Sequence, residues 1–322
     1  MREAFINQLY IFAQKDRDII LMSGDLGFGV LDKFRQDLPG QYFNAGICEQ
    51  NMASMAAGAA MEGKKVYLYS IANFPTLRCI EQIRNDICYH NANVKVVSVG
   101  GGFAYGALGM SHHATEDIAI MRSLPQMNVY VPCDPKEAVE VAKAVYELES
   151  PCYIRLNKGG EPELLFDGED FDERYNVDKL NVIKNGCDIC ILSTGAILWE
   201  VLKASEILKR QGIAAAVYNL AHIKPIDQKD LRLKLERFDF VVTVEEHNLS
   251  GGFGSAIAEI LVEGAKRPRM LRLGIKDEYA AFAGSQSYIR KAYGLDGASI
   301  AKAIIESYKS GNNYEKTGFC IS

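Results

Sequence analysis

Glu49 is the residue best placed to do chemistry in this 322-residue sequence. The stretch Tyr42-Phe43-Asn44-Ala45-Gly46-Ile47-Cys48 leads into it, and Gln50-Asn51 connect it to Met52-Ala53-Ser54-Met55-Ala56-Ala57-Gly58-Ala59-Ala60. That last run is small and apolar on nearly every face, which predicts a helix buried all round, with Glu49 in its first turn. An acid at a helix start often does no more than complement the helix dipole. Here it enters a helix with no solvated face, where an acid is costly unless something pairs with it. The neighbouring sequence supplies no partner. The chemistry open to such an acid is hydrogen bonding to whatever partner pairs with it.

Other motifs carry less. Cys187 and Cys190 form a C-x-x-C, but Gly186-Cys187-Asp188-Ile189-Cys190-Ile191-Leu192 reads as a strand, whereas a redox pair belongs at a helix start. Gly58-Ala59-Ala60-Met61-Glu62-Gly63-Lys64-Lys65 nearly spells a phosphate-binding loop. It lacks the closing Ser or Thr and falls at a helix end before a strand, the reverse of what phosphate cradling requires. No G-x-G-x-x-G opens a helix after the first strand, so a dinucleotide site is unsupported. The adjacent His112 and His113 sit in a Gly-rich loop, and Arg155 and Lys158 follow a strand.

Several function classes drop out on composition. The net charge is -5 with no basic run, which gives no case for nucleic acid. No apolar run reaches the roughly 18 residues of a membrane span. The N-terminal residues carry an early acid and read as an amphipathic helix, not a signal peptide. The eight cysteines lie mostly inside apolar runs, as Cys88, Cys133, Cys152 and Cys190 do, and read as reduced residues of a cytoplasmic protein.

The elements that must position these residues alternate. Strands are expected at Ile19–Leu26, Lys65–Ser70, Val94–Val99, Val129–Val131 and Cys152–Leu156, with helices between them, including one from Leu77 to Tyr89. A second set has strands at 187–194, 213–218 and 239–244 and helices at 197–211 and 253–264. This order implies two doubly wound α/β domains with mainly parallel sheets. The first spans 1–165 and the second 186–310; a Gly-, Pro- and acid-rich linker occupies 166–185, and a polar, mobile tail ends the chain at 311–322.

Five segments follow one another in an order that resembles transketolase. They are Gly46–Asn51, the Thr76–Arg84 helix with its Gln82-Ile83-Arg84, the loop Gly109-Met110-Ser111-His112-His113, Met121–Pro125, and Val244-Glu245-Glu246-His247-Asn248 through Gly254. The resemblance covers residues 1–310 and only the C-terminal half of that family: its pyrimidine-binding domain and its small C-terminal domain. It implies thiamine diphosphate as cofactor, with magnesium. The family's Gly-Asp-Gly diphosphate segment occurs nowhere here, and a diphosphate needs a hard cation with oxygen ligands. A split enzyme is therefore implied, in which an N-terminal-half subunit holds the diphosphate and magnesium, in an α2β2 assembly acting on small sugars.

By this resemblance Glu49 is the catalytic acid that hydrogen-bonds N1' of the aminopyrimidine, favouring the tautomer whose exocyclic nitrogen removes the thiazolium C2 proton. His112 falls on the family's donor-facing histidine, and His113 where the family has Gln. Phe74 is the candidate stacking aromatic, although the family places its aromatics near Ala72 and Pro75. Asp25 and Lys33 fall in a substrate-contacting region, and Arg155 and Lys158 where a sugar phosphate is gripped; a surface ion pair is the plain alternative for such cations. Two polar family positions are replaced by Leu108 and Gly100, which implies an unusual or activated ketose donor. The beta subunit of a 2-oxoacid dehydrogenase and a non-catalytic assembly subunit are the competing expectations.

Overall fold

The structure is a computed structural model that describes residues 1–163 and 175–315, with side chains to Ser310 in the last helix. Residues 166–174 of the expected linker and the end of the tail (316–322) lie outside the described residues.

The first half supplies β1 (Ile19–Ser23), β2 (Tyr42–Asn44), β3 (Lys65–Ile71), β4 (Val94–Val99), β5 (Asn128–Tyr130) and β6 (Cys152–Leu156). The second half supplies β7 (Asn181–Lys184), β8 (Ile189–Ser193), β9 (Ala215–Asn219), β10 (His222–Lys224), β11 (Phe240–Asn248) and β12 (Arg269–Ile275). The larger sheet has the order β10-β5-β6-β4-β3-β1-β2, and all its pairings are parallel except that of β10 with β5. The smaller sheet has the order β12-β11-β8-β9-β7, parallel apart from the β7 edge. Two α/β units with mostly parallel sheets are thus present, as the alternation of apolar runs and helices implied. β1, β4, β6 and β8 are buried along their whole length, as expected for strands covered on both faces.

Local chemistry sets the helix starts. Asp134 caps Pro135–Glu147 by accepting from the Glu137 amide at 2.7 Å, with a proline in the first turn, an arrangement favoured at helix N-termini. Asp227 and Ser285 do the same for Gln228–Leu235 and Gln286–Ala292.

The structure departs from the sequence reading in four places. The helix Glu49–Met61 buries only one stripe, Glu49, Met52, Ala53, Ala56 and Ala57, while Met55 and Met61 are exposed. Only the i, i+3, i+4 positions meet the sheet, so a run apolar on every face is half uncovered in this chain. The single helix expected over 77–89 is broken into Asn73–Leu77, Ile80–Gln82 and a π-helical turn Ile83–Cys88. Within the stretch read as linker, Asn181–Lys184 pairs as β7. The final helix Gly297–Glu315 runs through the start of the expected tail.

The two halves are stitched together. β10 leaves the second half to close the edge of the first sheet, where the His222 ring stacks on Tyr130 at 3.9 Å. Buried Glu137 accepts from the Cys133 amide, the Tyr175 hydroxyl and the Asn219 side chain at 2.6–2.8 Å. Burial raises its pKa. Among the described residues no helix is long and apolar enough to cross a membrane, and Cys187 and Cys190 are both free thiols.

Candidate active site

In parallel sheets ligands bind beyond the carboxyl ends of the strands, and β1, β2, β3, β4 and β6 all end on one edge. Glu49 lies there, as the first residue of its helix and with 4% of its surface exposed. Gly24, just past β1, faces it: a side chain added at Gly24 would lie within 3.6 Å of the Glu49 side chain.

Glu49 has a partner in this chain that the sequence reading missed. Arg78 Nη1 donates to Glu49 Oε2 at 3.2 Å. The same guanidinium lies over the Phe74 ring, 4.0 Å from its centroid. Phe74 in turn meets His112 edge to face, with centroids 5.3 Å apart. Glu49, Arg78, Phe74 and His112 therefore form one continuous cluster, assembled from two helices and a loop. The readable signal for Arg78 was its i+4 spacing from Phe74, which puts two side chains on one face of a helix.

Asn73 fixes the loop against the helix. Its amide donates to the Ser111 carbonyl at 3.2 Å and to the His113 carbonyl. His112 is half-buried and its Nδ1 meets the Ser111 hydroxyl at 3.0 Å. His113 points inward instead; it is buried beside Phe103. Of the two, His112 is the one that shares the cluster. Phe74 presents the ring, whereas Ala72, just after β3, and Pro75, within the helix Asn73–Leu77, are buried. Cys79 adds no nucleophile: burial, with Glu49 adding to it, pushes its thiol up to about 12.

The remaining expected site residues separate. Asp25 is tied to Asn44: its amide donates to Asn44 Oδ1 and its carboxylate accepts from Asn44 Nδ2, each at 3.0 Å. Lys33 is not brought in; its ammonium sits over the Tyr10 ring of the first helix at 4.4 Å. Arg155 is a correction to the phosphate-gripping expectation. It is 7% exposed, with Nε donating to Asp117 Oδ2 at 2.7 Å and Nη2 donating to the Ala114 and Glu246 carbonyls at 2.8 and 3.1 Å. Tyr153 also donates to Asp117, at 2.6 Å. A guanidinium so committed belongs to the domain junction. Lys158 is exposed past β6, 5.2 Å from the Tyr105 centroid.

Gly100 carries its own explanation. Its φ is +101°, and a Cβ there would fall 2.2 Å from the Tyr105 ring. Tyr105 has taken the space that a side chain at position 100 would need. The ring and Lys158 beside it now line this part of the edge.

The Glu245-Glu246-His247 segment, by contrast, builds structure. Glu245 accepts from the Phe253 and Gly254 amides at 2.6 and 2.9 Å, holding the start of a helix. Burial pushes its pKa up to about 8 and pulls that of His247 down to about 4. Glu246 receives Arg290, Gln286 and the Phe103 amide.

The pyrimidine-binding domain of transketolase matches residues 1–161, and its C-terminal domain matches 178–300. A putative transketolase C-terminal section from Methanocaldococcus jannaschii is 37% identical over 96% of both chains. One of the subunits of apulose-4-phosphate transketolase from Phocaeicola vulgatus is 35% identical over 96% of this chain and 97% of its own. A solved structure described as a split gene transketolase, inactive beta4 tetramer, superposes with a TM-score of 0.83 at 35% identity, covering 95% of this chain and 96% of its own. With both domains matched in order, and the Glu49 cluster lying within the first, the chain belongs to the transketolase family as a subunit corresponding to its C-terminal half.

Proposed function

We propose that this chain is the C-terminal-half subunit of a split, thiamine diphosphate-dependent transketolase, moving a two-carbon ketol unit from a ketose to an aldose. The observation that carries this is the Glu49–Phe74–His112 cluster at the carboxyl edge of the sheet. A buried carboxylate and an aromatic face are what an aminopyrimidine needs, so the residues present fit that end of the cofactor. When bound, thiamine diphosphate supplies the thiazolium carbon that takes up the ketol unit. Glu49 holds a proton in common with N1' of the aminopyrimidine, and Phe74 fixes the plane of that ring. His112, edge-on to Phe74, faces the donor and stabilises its oxygens or moves a proton between them. Asp25 and Lys158 flank the substrate, with Lys158 meeting an anionic group as a point charge.

The diphosphate and magnesium fall to an N-terminal-half partner, since the Gly-Asp-Gly segment is absent from the sequence. The uncovered face of the Glu49–Met61 helix supports such a partner. Ile47, Met55 and Met61 on and beside it are 43–74% exposed, and Leu77, Leu108 and Met110 continue the apolar exposure along the segments that carry Arg78 and His112. Exposed apolar side chains grouped in this way mark an interface. An α2β2 assembly buries that face in each copy. The donor is an unusual ketose phosphate, in keeping with Gly100 and Leu108 and with a relative that acts on apulose-4-phosphate.

Calorimetric titration of thiamine diphosphate and magnesium into this chain, alone and with a candidate N-terminal-half subunit, tests the reading. Binding is expected only in the mixture. Tight binding by this chain alone would place the diphosphate site within it and refute the split arrangement.

A further inference from the structure

Resting on that function, we infer that Arg78 is an internal stand-in for the aminopyrimidine, occupying Glu49 and Phe74 in the free subunit and withdrawing when the cofactor arrives. A flat, nitrogen-rich ring that binds this site has two contacts to make: a hydrogen bond to the Glu49 carboxylate and stacking on an aromatic face. Arg78 makes both at once, at 3.2 Å to Glu49 Oε2 and 4.0 Å to the Phe74 centroid. The guanidinium is itself planar and rich in N–H donors, so it copies the shape and the hydrogen bonding of what it replaces.

Burial explains why a stand-in is useful. Glu49 has 4% of its side chain exposed, whereas Arg78 has 50%. A buried carboxylate without a partner is costly, so the free subunit is stabilised by a counter-charge. That counter-charge comes from a side chain half in solvent, which can swing out through the mouth of the site with little repacking. Arg78 follows the short helix Asn73–Leu77 as its cap, and in the free subunit its other face is open.

The consequence is competition. Each contact Arg78 gives up subtracts from cofactor affinity, and the pair of contacts is of the modest, half-exposed kind. Removing it by Arg78→Met should tighten thiamine diphosphate binding about three- to thirty-fold. Arg78→Lys keeps the charge but cannot lie flat on the ring and should fall between Met and wild type.

The test is calorimetric titration of thiamine diphosphate with magnesium into the assembled complex carrying wild-type Arg78, Arg78→Met or Arg78→Lys, after size-exclusion chromatography shows that each assembles. The order Met tighter than Lys tighter than wild type is expected. Weaker or unchanged binding by an assembled Arg78→Met complex would overturn the stand-in while leaving the function standing, because the wild-type complex still binds. A wild-type complex that binds no cofactor would remove the function, and the stand-in with it.

Discussion

Replacing Arg155 by methionine should damage the fold and leave substrate recognition to Lys158. The side chain joins three elements: Asp117 at a helix start, the Ala114 carbonyl, and the Glu246 carbonyl of β11 in the second half. Without it, Asp117, with 1% of its side chain exposed, keeps only the Tyr153 hydroxyl as a side-chain hydrogen-bond donor among the described residues. Breaking a buried ion pair by removing one member costs about 3–5 kcal/mol. For a chain of 322 residues that is a fall of roughly 4–7 °C in the melting midpoint, read by circular dichroism at 222 nm. The double variant Arg155→Met, Asp117→Leu should be less destabilised than the sum of the single changes, because the stranded charge is gone. Lys158→Ala is the contrast: it should leave the midpoint unchanged and raise the KM of the assembled enzyme for a phosphorylated ketose. An Arg155→Met chain that melts normally yet binds phosphorylated donors poorly would refute the reasoning and return Arg155 to the substrate.

Glu49→Gln should lower turnover by several orders of magnitude in a complex that still assembles; near-normal turnover measured by product release would remove Glu49 from the mechanism. Gly100→Ala should destabilise by about 2 kcal/mol or more in denaturant titration, from the left-handed backbone and the clash with Tyr105 together. Adding Tyr105→Ala should recover only the part due to the clash. Stability should also depend on pH through Glu245, whose folded pKa of about 8 lies above its ordinary 4.5. The folded state keeps a proton that the unfolded state has lost, so stability falls as pH rises from 4.5 to 8. His247, lowered to about 4 from 6.5, works the opposite way, but only below 6.5. A decline between pH 6.5 and 8, at most about 1.4 kcal/mol per unit from this group, should therefore be seen in denaturation midpoints and be reduced in Glu245→Gln, with buried Glu137 adding to it in the same direction.

The sheets were legible in the sequence because parallel strands covered on both faces are continuous apolar runs, as in Ile19–Ser23 and Val94–Val99. Glu49 was legible because a lone acid stood ahead of an apolar helix. What stayed hidden depends on contacts between residues far apart in the chain. Arg78 meets Glu49 across 29 positions, and no local pattern marks that pairing. Arg155 read as a cation at a strand end, and only the arrival of Asp117 and β11 shows it to be enclosed. The all-round apolarity of Glu49–Met61 reads as burial on every face, whereas only one stripe of it is covered in this chain. The strand His222–Lys224 is too short to announce itself, and Arg269–Ile275, a half-exposed edge strand, lacks the burial that makes the others obvious.

That short strand bears on how this protein can be cut and recombined. A boundary drawn between the two matched domains, near residue 178, looks natural in the sequence. Yet cleavage there would take β10 away from the first sheet, bare the edge of β5, and pull Asn219 from Glu137 and the Glu246 carbonyl from Arg155. The separate pieces would each present an open sheet edge or buried charges to water. For anyone building chimeras, the smallest portable block is therefore the pair of domains together.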